Sequence, residues 1–316
     1  MRLLITGSAG FIGGSVGRHA AAAGHAVVGV ARRSQPDADW VGGHVTADAA
    51  TTDLAPIVAA AEPDVVFHAA GSASVGSSVS APLDDFRAAV VSWANLLDGV
   101  RRSGRRPLVV FPSSAAVYGN PAELPVAESA PVAPISPYGY HKAACELLAR
   151  EYADCFGLNV LVVRVFSVFG PAQRRLLVWD LYQQAIADGP DMWLDGTGHE
   201  SRDYLHVDDL SALVLRLSAT ARCGPTGVTT VNAGRGEETP VLAVAEHVRS
   251  ATGASGKTIR CRGHERPGDP RRWRADIGRL RVMLSGWQPA PLAAGVAGCA
   301  AAWSPARGKR SALADR

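Results

Sequence analysis

The sequence predicts an α/β fold class: a doubly wound parallel sheet with a smaller, interleaved C-terminal lobe. Three observations carry the prediction. Short apolar runs alternate with amphipathic helical stretches through the first 170 residues, a glycine-rich turn follows the first run directly, and the alternation breaks down after Gly170-Pro171.

The apolar runs at 3–6, 26–30, 64–68, 108–111, 160–164 and 228–232 are continuous rather than alternating, as strands covered on both faces should be. Between them, 11–23, 54–61, 82–103 and 138–156 show helical periodicity. Three of these stretches run into Gly24, Gly104 or Gly157, residues suited to helix C-caps. Repetition of strand, helix and strand implies right-handed crossovers and a parallel sheet. Beyond residue 170 the chain is turn-rich, with helices expected at about 176–187, 242–252 and 276–284. Residues 1–170 are thus expected to form a Rossmann-type nucleotide-binding domain, its sheet completed by about 203–234. Residues 171–202 and 235–303 are expected to form a substrate-binding lobe, and 304–316, polar and basic without periodicity, a flexible tail.

At 316 residues and 47% hydrophobic side chains the chain can bury a large core. A net charge of +3 with dispersed arginines argues against a nucleic-acid groove and for discrete anionic ligands. Five widely spaced cysteines without a C-x-x-C suggest neither a disulfide framework nor a zinc site, and His199, His206, Asp208 and Asp209 lack convincing metal-ligand spacing, so no metal is expected. No stretch approaches the ~18 uninterrupted apolar residues of a membrane span, and the opening run is too short for a signal segment, so no membrane association and a cytoplasmic location are expected.

Thr6-Gly7-Ser8-Ala9-Gly10-Phe11-Ile12-Gly13 joins the first strand to the first helix, where backbone N–H groups and the helix dipole meet a pyrophosphate. Gly7 permits the tight turn, Gly10 lets the backbone approach the phosphates, and Gly13 lets helix and strand pack closely. The second strand ends Val30-Ala31-Arg32-Arg33. Ala31 stands where an acidic residue would bind the ribose 2′-hydroxyl of NAD, and Arg32 and Arg33 offer forks suited to a 2′-phosphate. NADP is therefore expected ahead of NAD.

Tyr138 and Lys142 stand at i and i+4 on one helix face, a pairing expected by chance only about 0.06 times in a chain with six tyrosines and three lysines. An ammonium beside a phenol favours the phenolate, which equips the tyrosine for proton transfer at a sugar carbinol or ketone. Ser114, at the carboxyl end of the strand in Phe111-Pro112-Ser113-Ser114, supplies a hydroxyl to hold the reacting oxygen. His68 reads as a packed, hydrogen-bonded core histidine, and Trp273, Trp287 and Trp303 as packing residues of the small lobe.

The motifs T-G-x-x-G-x-x-G, H-A-A-G at 68–71, S-S-x-x-V-Y-G at 113–119, S-P-Y-G-x-x-K at 136–142 and R-D-Y-x-H-V-D-D at 202–209 occur in one order along nearly the whole chain, to about Trp303. In these the chain resembles the nucleotide-sugar epimerases, dehydratases and ketoreductases of the extended short-chain dehydrogenase/reductase superfamily. The resemblance implies a catalytic triad of Ser114, Tyr138 and Lys142. It places Phe11, Ile12, Asp48, Ala49, Ala69, Ala70 and Gly71 with the glycine turn around the cofactor, and Ser167, Arg202, Arg266 and Asp269 around a nucleotide-diphosphate sugar. It also implies a homodimer through the helices at 82–103 and 138–156. Three departures matter: Ala115-Ala116 replace the Asp-Glu pair of the 4,6-dehydratases, Ser167 replaces a usual asparagine, and so does Ala89. Dehydration is thereby disfavoured. Reduction of a nucleotide-linked 4-ketosugar is the leading expectation, with C4 epimerisation through a transient ketone as the alternative and a non-catalytic NADP-sensing role behind both.

Overall fold

Alternate residues of each central strand point to opposite faces, and the apolar runs are continuous because both faces are covered. In β1 (Arg2–Thr6), Leu3 and Ile5 enter one core while Leu4 enters the other. Val65 and Phe67 in β4 (Val65–His68) divide from Val66 in the same way. The computed structural model describes residues 1–33, 42–72, 74–224, 226–264 and 268–304; the tail expected at 304–316 lies outside them save for Ser304.

Seven parallel strands form the sheet, in the order Val228–Ala233, β6 (Asn159–Val165), β5 (Leu108–Ser114), β4, β1, β2 (Ala26–Ala31) and β3 (Gly43–Thr46). All six expected strands are present; β3, a four-residue edge strand, is additional. One face carries α1 (Phe11–Ala22), the helix Val207–Ala221 and the segment around Trp273, Ile277 and Trp287. On the other face lie α2 (Ala55–Ala61) and, after the short α3 (Val75–Ser80) and α4 (Pro82–Phe86), α5 (Ser92–Arg102) and α6 (Pro137–Phe156). The single helix expected at 82–103 is interrupted by one π-helical turn, Arg87–Val91.

A third core lies under the helices Leu177–Ile186, Val241–Thr252 and Leu292–Trp303, beside a parallel pair of strands, Asp191–Leu194 and Thr258–Cys261. Trp273 and Trp287 pack into the sheet's own core rather than this one, because the segment 271–287 folds back over the sheet. All five cysteines are free. Cys145 and Cys299 are buried, whereas Cys155, Cys223 and Cys261 are exposed. Among the described residues no helix is long and apolar enough to cross a membrane.

The chain leaves β1 toward β2 and β3, then returns to start β4 on the other side of β1. The carboxyl ends of β1 and β4 therefore part at a topological switch point, where open α/β sheets bind ligands.

Candidate active site

At that switch point lies a cavity of about 1200 Å³, bounded by the glycine turn, the ends of β4 and β5, the first turns of α6 and the third core. Gly7 has φ +70°, and a Cβ there would lie 2.4 Å from the Ala70 nitrogen, so only glycine lets β1 turn this close to the end of β4. At Gly13 a Cβ would lie 2.4 Å from the Gly7 oxygen, so α1 must also approach without a side chain. Gly10, by contrast, is exposed on the cavity wall. The N-terminus of α1 has no capping side chain and no acidic residue in its first turn, which leaves its N–H groups and dipole to an anion. This turn fits a dinucleotide's pyrophosphate.

Gly10, Phe11, Ile12, Arg33, Ala69, Ala70, Gly71, Ser114, Tyr138, Lys142, Ser167, Arg202 and Asp269 all line the cavity. Gly7 and Gly13 lie behind the wall and shape it. Arg32 is exposed and is not part of the lining, although its neighbour Arg33 is. Asp48 and Ala49 also stand back from the cavity: Asp48 accepts from the Ala50 N–H at 2.9 Å, and Asn95 donates to the Ala49 carbonyl at 2.8 Å. Arg266 lies outside the described residues.

Serine at the N-cap position 136 starts α6 by accepting from the Gly139 N–H at 3.2 Å, and Pro137 follows at the first helical position. Ser78 of α3, fully buried, accepts from the Tyr138 N–H at 3.0 Å. Tyr138 is thus tied by its backbone while its half-buried ring reaches the cavity. Lys142 is buried. Its ammonium donates to the Pro112 carbonyl at 2.9 Å, lies 4.7 Å above the centre of the Phe111 ring and stands 5.7 Å from that of Tyr138. Ser114 closes β5, and its hydroxyl accepts from the Ala116 N–H at 3.1 Å.

His68 is fully buried between Thr6, at 2.8 Å, and Ser92, at 3.3 Å. Burial, helped by the nearby Lys142 charge, depresses its imidazole to about 3, so it is neutral at ordinary pH and is the packed histidine expected. Arg202 lies 5.5 Å from the centre of the Trp273 ring and donates to the Ser201 carbonyl at 2.9 Å. Burial lowers its guanidinium from the usual value. His206 and Asp208 approach to 3.5 Å, but among the described residues no cluster of His, Cys, Asp or Glu could hold a metal ion.

Several lining residues carry almost no signal in the sequence. Arg174 stacks on Trp179 at 4.6 Å, and Trp193 lies beneath Arg262 at 5.0 Å. The adjacent pair Arg174-Arg175, just after Gly170-Pro171, is the only hint the sequence offers of them.

The profile of the "NAD dependent epimerase/dehydratase family" matches residues 3–234. The chain is 34% identical over 310 residues to the UDP-glucose 4-epimerase of Mycolicibacterium smegmatis, covering 94% of this chain and 96% of that one. It is 33% identical to the UDP-glucose 4-epimerase of Azospirillum brasilense, over 91% of this chain and 87% of the relative. Among solved structures it is similar to MoeE5 in complex with UDP-glucose and NAD, with TM-score 0.85, 27% identity and coverage of 96% of this chain and 98% of that chain. A UDP-galactose 4-epimerase structure is similar with TM-score 0.82, 29% identity and the same coverages. With its seven-stranded sheet, its glycine turn and more than two-thirds of its length matched, the chain belongs to the NAD dependent epimerase/dehydratase family, within the extended short-chain dehydrogenase/reductase superfamily.

Proposed function

We propose that this enzyme interconverts the C4 epimers of a UDP-linked sugar, with NAD as its resident hydride carrier. The observation that carries the reading is one cavity receiving Ser114, Tyr138, Lys142 and the uncapped start of α1, in a chain similar over nine-tenths of its length to UDP-glucose 4-epimerases. This reverses the order of the expectations. Reduction rested on Arg32 and Arg33 selecting NADP, yet only Arg33 lines the cavity, and the similar MoeE5 structure holds NAD.

NAD, held at the uncapped start of α1, would supply the hydride acceptor and donor that C4 requires. Ser114 and Tyr138 hold the C4 oxygen between their hydroxyls. Tyr138 removes its proton as the carbinol becomes a ketone and returns it once the sugar has presented its other face. Lys142, fixed by the Pro112 carbonyl, holds its ammonium beside the Tyr138 ring. Arg202, its guanidinium set against Trp273, meets the diphosphate; Arg266 and Asp269 are assigned to the same end of the substrate, and Ser167 to the sugar. Residues 171–202 and 235–303 act as the substrate lobe. Ala115 and Ala116 are buried and offer no acid or base, so water is not eliminated.

The test is incubation of the purified enzyme with UDP-glucose, UDP-galactose, UDP-N-acetylglucosamine and UDP-glucuronate, without added cofactor. C4 interconversion with no net change in cofactor is expected, with NAD released on denaturation. Stoichiometric NADPH oxidation by a nucleotide-linked 4-keto-6-deoxy sugar, with no interconversion, would replace epimerisation by reduction.

We also propose a homodimer built on α3–α5 and α6. Val79, Leu83, Phe86 and Val91 on one side, and Tyr140 and Leu147 on the other, expose apolar side chains along these helices. Light scattering is expected to give twice the 32.9 kDa chain mass; the monomer mass would exclude the dimer.

A further inference from the structure

From Ser113 on the cavity wall, a chain of buried polar groups to which the reaction above assigns no part runs inward. The Ser113 hydroxyl donates to Glu146 Oε1 at 2.5 Å. Arg164 grips the same carboxylate, with Nε 3.0 Å from Oε1 and Nη2 2.7 Å from Oε2. Arg164 Nη1 donates to the Tyr118 hydroxyl and to the Glu128 carbonyl, each at 2.9 Å, and Tyr118 donates onward to Asn232 Oδ1 at 2.7 Å. The side chains of Arg164 and Glu146 are only 7% and 13% exposed. A buried pair of this kind repays little of its desolvation in stability, so its value lies in the geometry it enforces.

Tyr138, Lys142 and Glu146 are spaced four residues apart and share one face of α6. That face lies along the carboxyl end of β5, where two rungs join helix to strand: Lys142 to the Pro112 carbonyl, and Ser113 to Glu146. Arg164 of β6 is the register partner of Ser113, so the neighbouring strand braces the second rung from the side. A single rung would set only a distance. Two rungs one helical turn apart set how far α6 slides along β5, and therefore where Tyr138 stands relative to Ser114.

We propose that Glu146, braced by Arg164, is a positioning residue: through Ser113 it fixes the register of α6 on β5, and with it the separation of the Tyr138 and Ser114 hydroxyls. The proposal rests on the epimerase reading insofar as those hydroxyls share one substrate oxygen.

Three variants test it. Glu146→Gln keeps the shape and removes the charge that holds Arg164. Ser113→Ala removes the rung alone and spares the ion pair, so it remains informative should the first variant fail to fold. Ser211→Ala is the control, because Ser211 is also fully buried and donates to Ser15 at 2.9 Å, on the opposite face of the sheet. Expected are kcat lower by about 100-fold in Glu146→Gln and about tenfold in Ser113→Ala with KM within about twofold of wild type, and both constants near wild type in Ser211→Ala. Equal kcat in Ser113→Ala and Ser211→Ala would overturn the proposal.

A second readout does not depend on turnover. The chain has three lysines, Lys142, Lys257 and Lys309, so selective 15N labelling of lysine side chains leaves few signals to assign. The buried Lys142 ammonium signal is expected to move in Ser113→Ala and Glu146→Gln and to stay in place in Ser211→Ala. An unmoved signal in both test variants would overturn the proposal even if the wild type turned over none of the sugars, an outcome that by itself counts only against the epimerase reading.

Discussion

Tyr138→Phe is expected to lower kcat by about 1000-fold while leaving the affinities for NAD and the UDP-sugar within about threefold, the range that removal of a general acid–base group predicts. The phenylalanine ring keeps the packing. The bond that anchors this turn runs from the Tyr138 backbone N–H to Ser78, so it survives the change, as does the Lys142 bond to the Pro112 carbonyl. Only the hydroxyl at the cavity is removed. Ser114→Ala is expected to fall less in kcat but to perturb more structure, because its hydroxyl also caps Ala116. Steady-state rates with fluorescence titration of NAD and of the sugar separate the two. Turnover by Tyr138→Phe at a rate near wild type would remove Tyr138 from proton transfer and leave the cavity without an assigned base.

That assignment is legible in the sequence because it depends on spacing alone. Tyr138 and Lys142 one turn apart on a helix face the same way in any fold, and a glycine turn placed between a strand and a helix has few other uses. The six expected strands are legible for a similar reason: burial on both faces makes an apolar run continuous, and flanking glycines set its limits. The cofactor's far end is not. Arg32 and Arg33 are adjacent in sequence and read as a pair, but neighbouring residues at a strand's end diverge, and only Arg33 reaches the cavity.

The missed elements fail in physical ways. Val207–Ala221 buries Val207, Leu210, Ser211, Leu213, Val214, Leu215, Leu217 and Ser218, so apolar residues surround much of the helix and blur the contrast on which periodicity depends. In Leu292–Trp303, with sequence LAAGVAGCAAAW, nearly every residue is small or apolar, and buried and exposed faces look alike. β3 has four residues, Gly-His-Val-Thr, and pairs only along β2. The rungs from α6 to β5 are longer-range still: Ser113 and Glu146 are 33 positions apart, and only the packed fold makes them partners.

The close approach at the glycine turn yields the second large effect, and a matched comparison isolates it. Gly7 and Gly24 have φ of +70° and +77°, so alanine at either adopts a left-handed backbone at about 1 kcal/mol. Around Gly24 a new Cβ meets nothing within 4 Å. At Gly7 it meets the Ala70 nitrogen at 2.4 Å and the Ala69 carbonyl at 2.5 Å, main-chain atoms of the segment leaving β4 that no rotamer change can move. Gly24→Ala is therefore expected to lower Tm by about 2 °C and to bind NAD as before. Gly7→Ala is expected to lose about 3 kcal/mol or more and to weaken NAD at least 100-fold in whatever fraction folds, since the turn that presents α1 to the pyrophosphate must open to admit the methyl group. Thermal unfolding with NAD titration reads both quantities. Matching Tm shifts and matching NAD affinities in the two variants would mean that β1 and β4 do not meet as closely as the geometry requires, and the dinucleotide would need another seat.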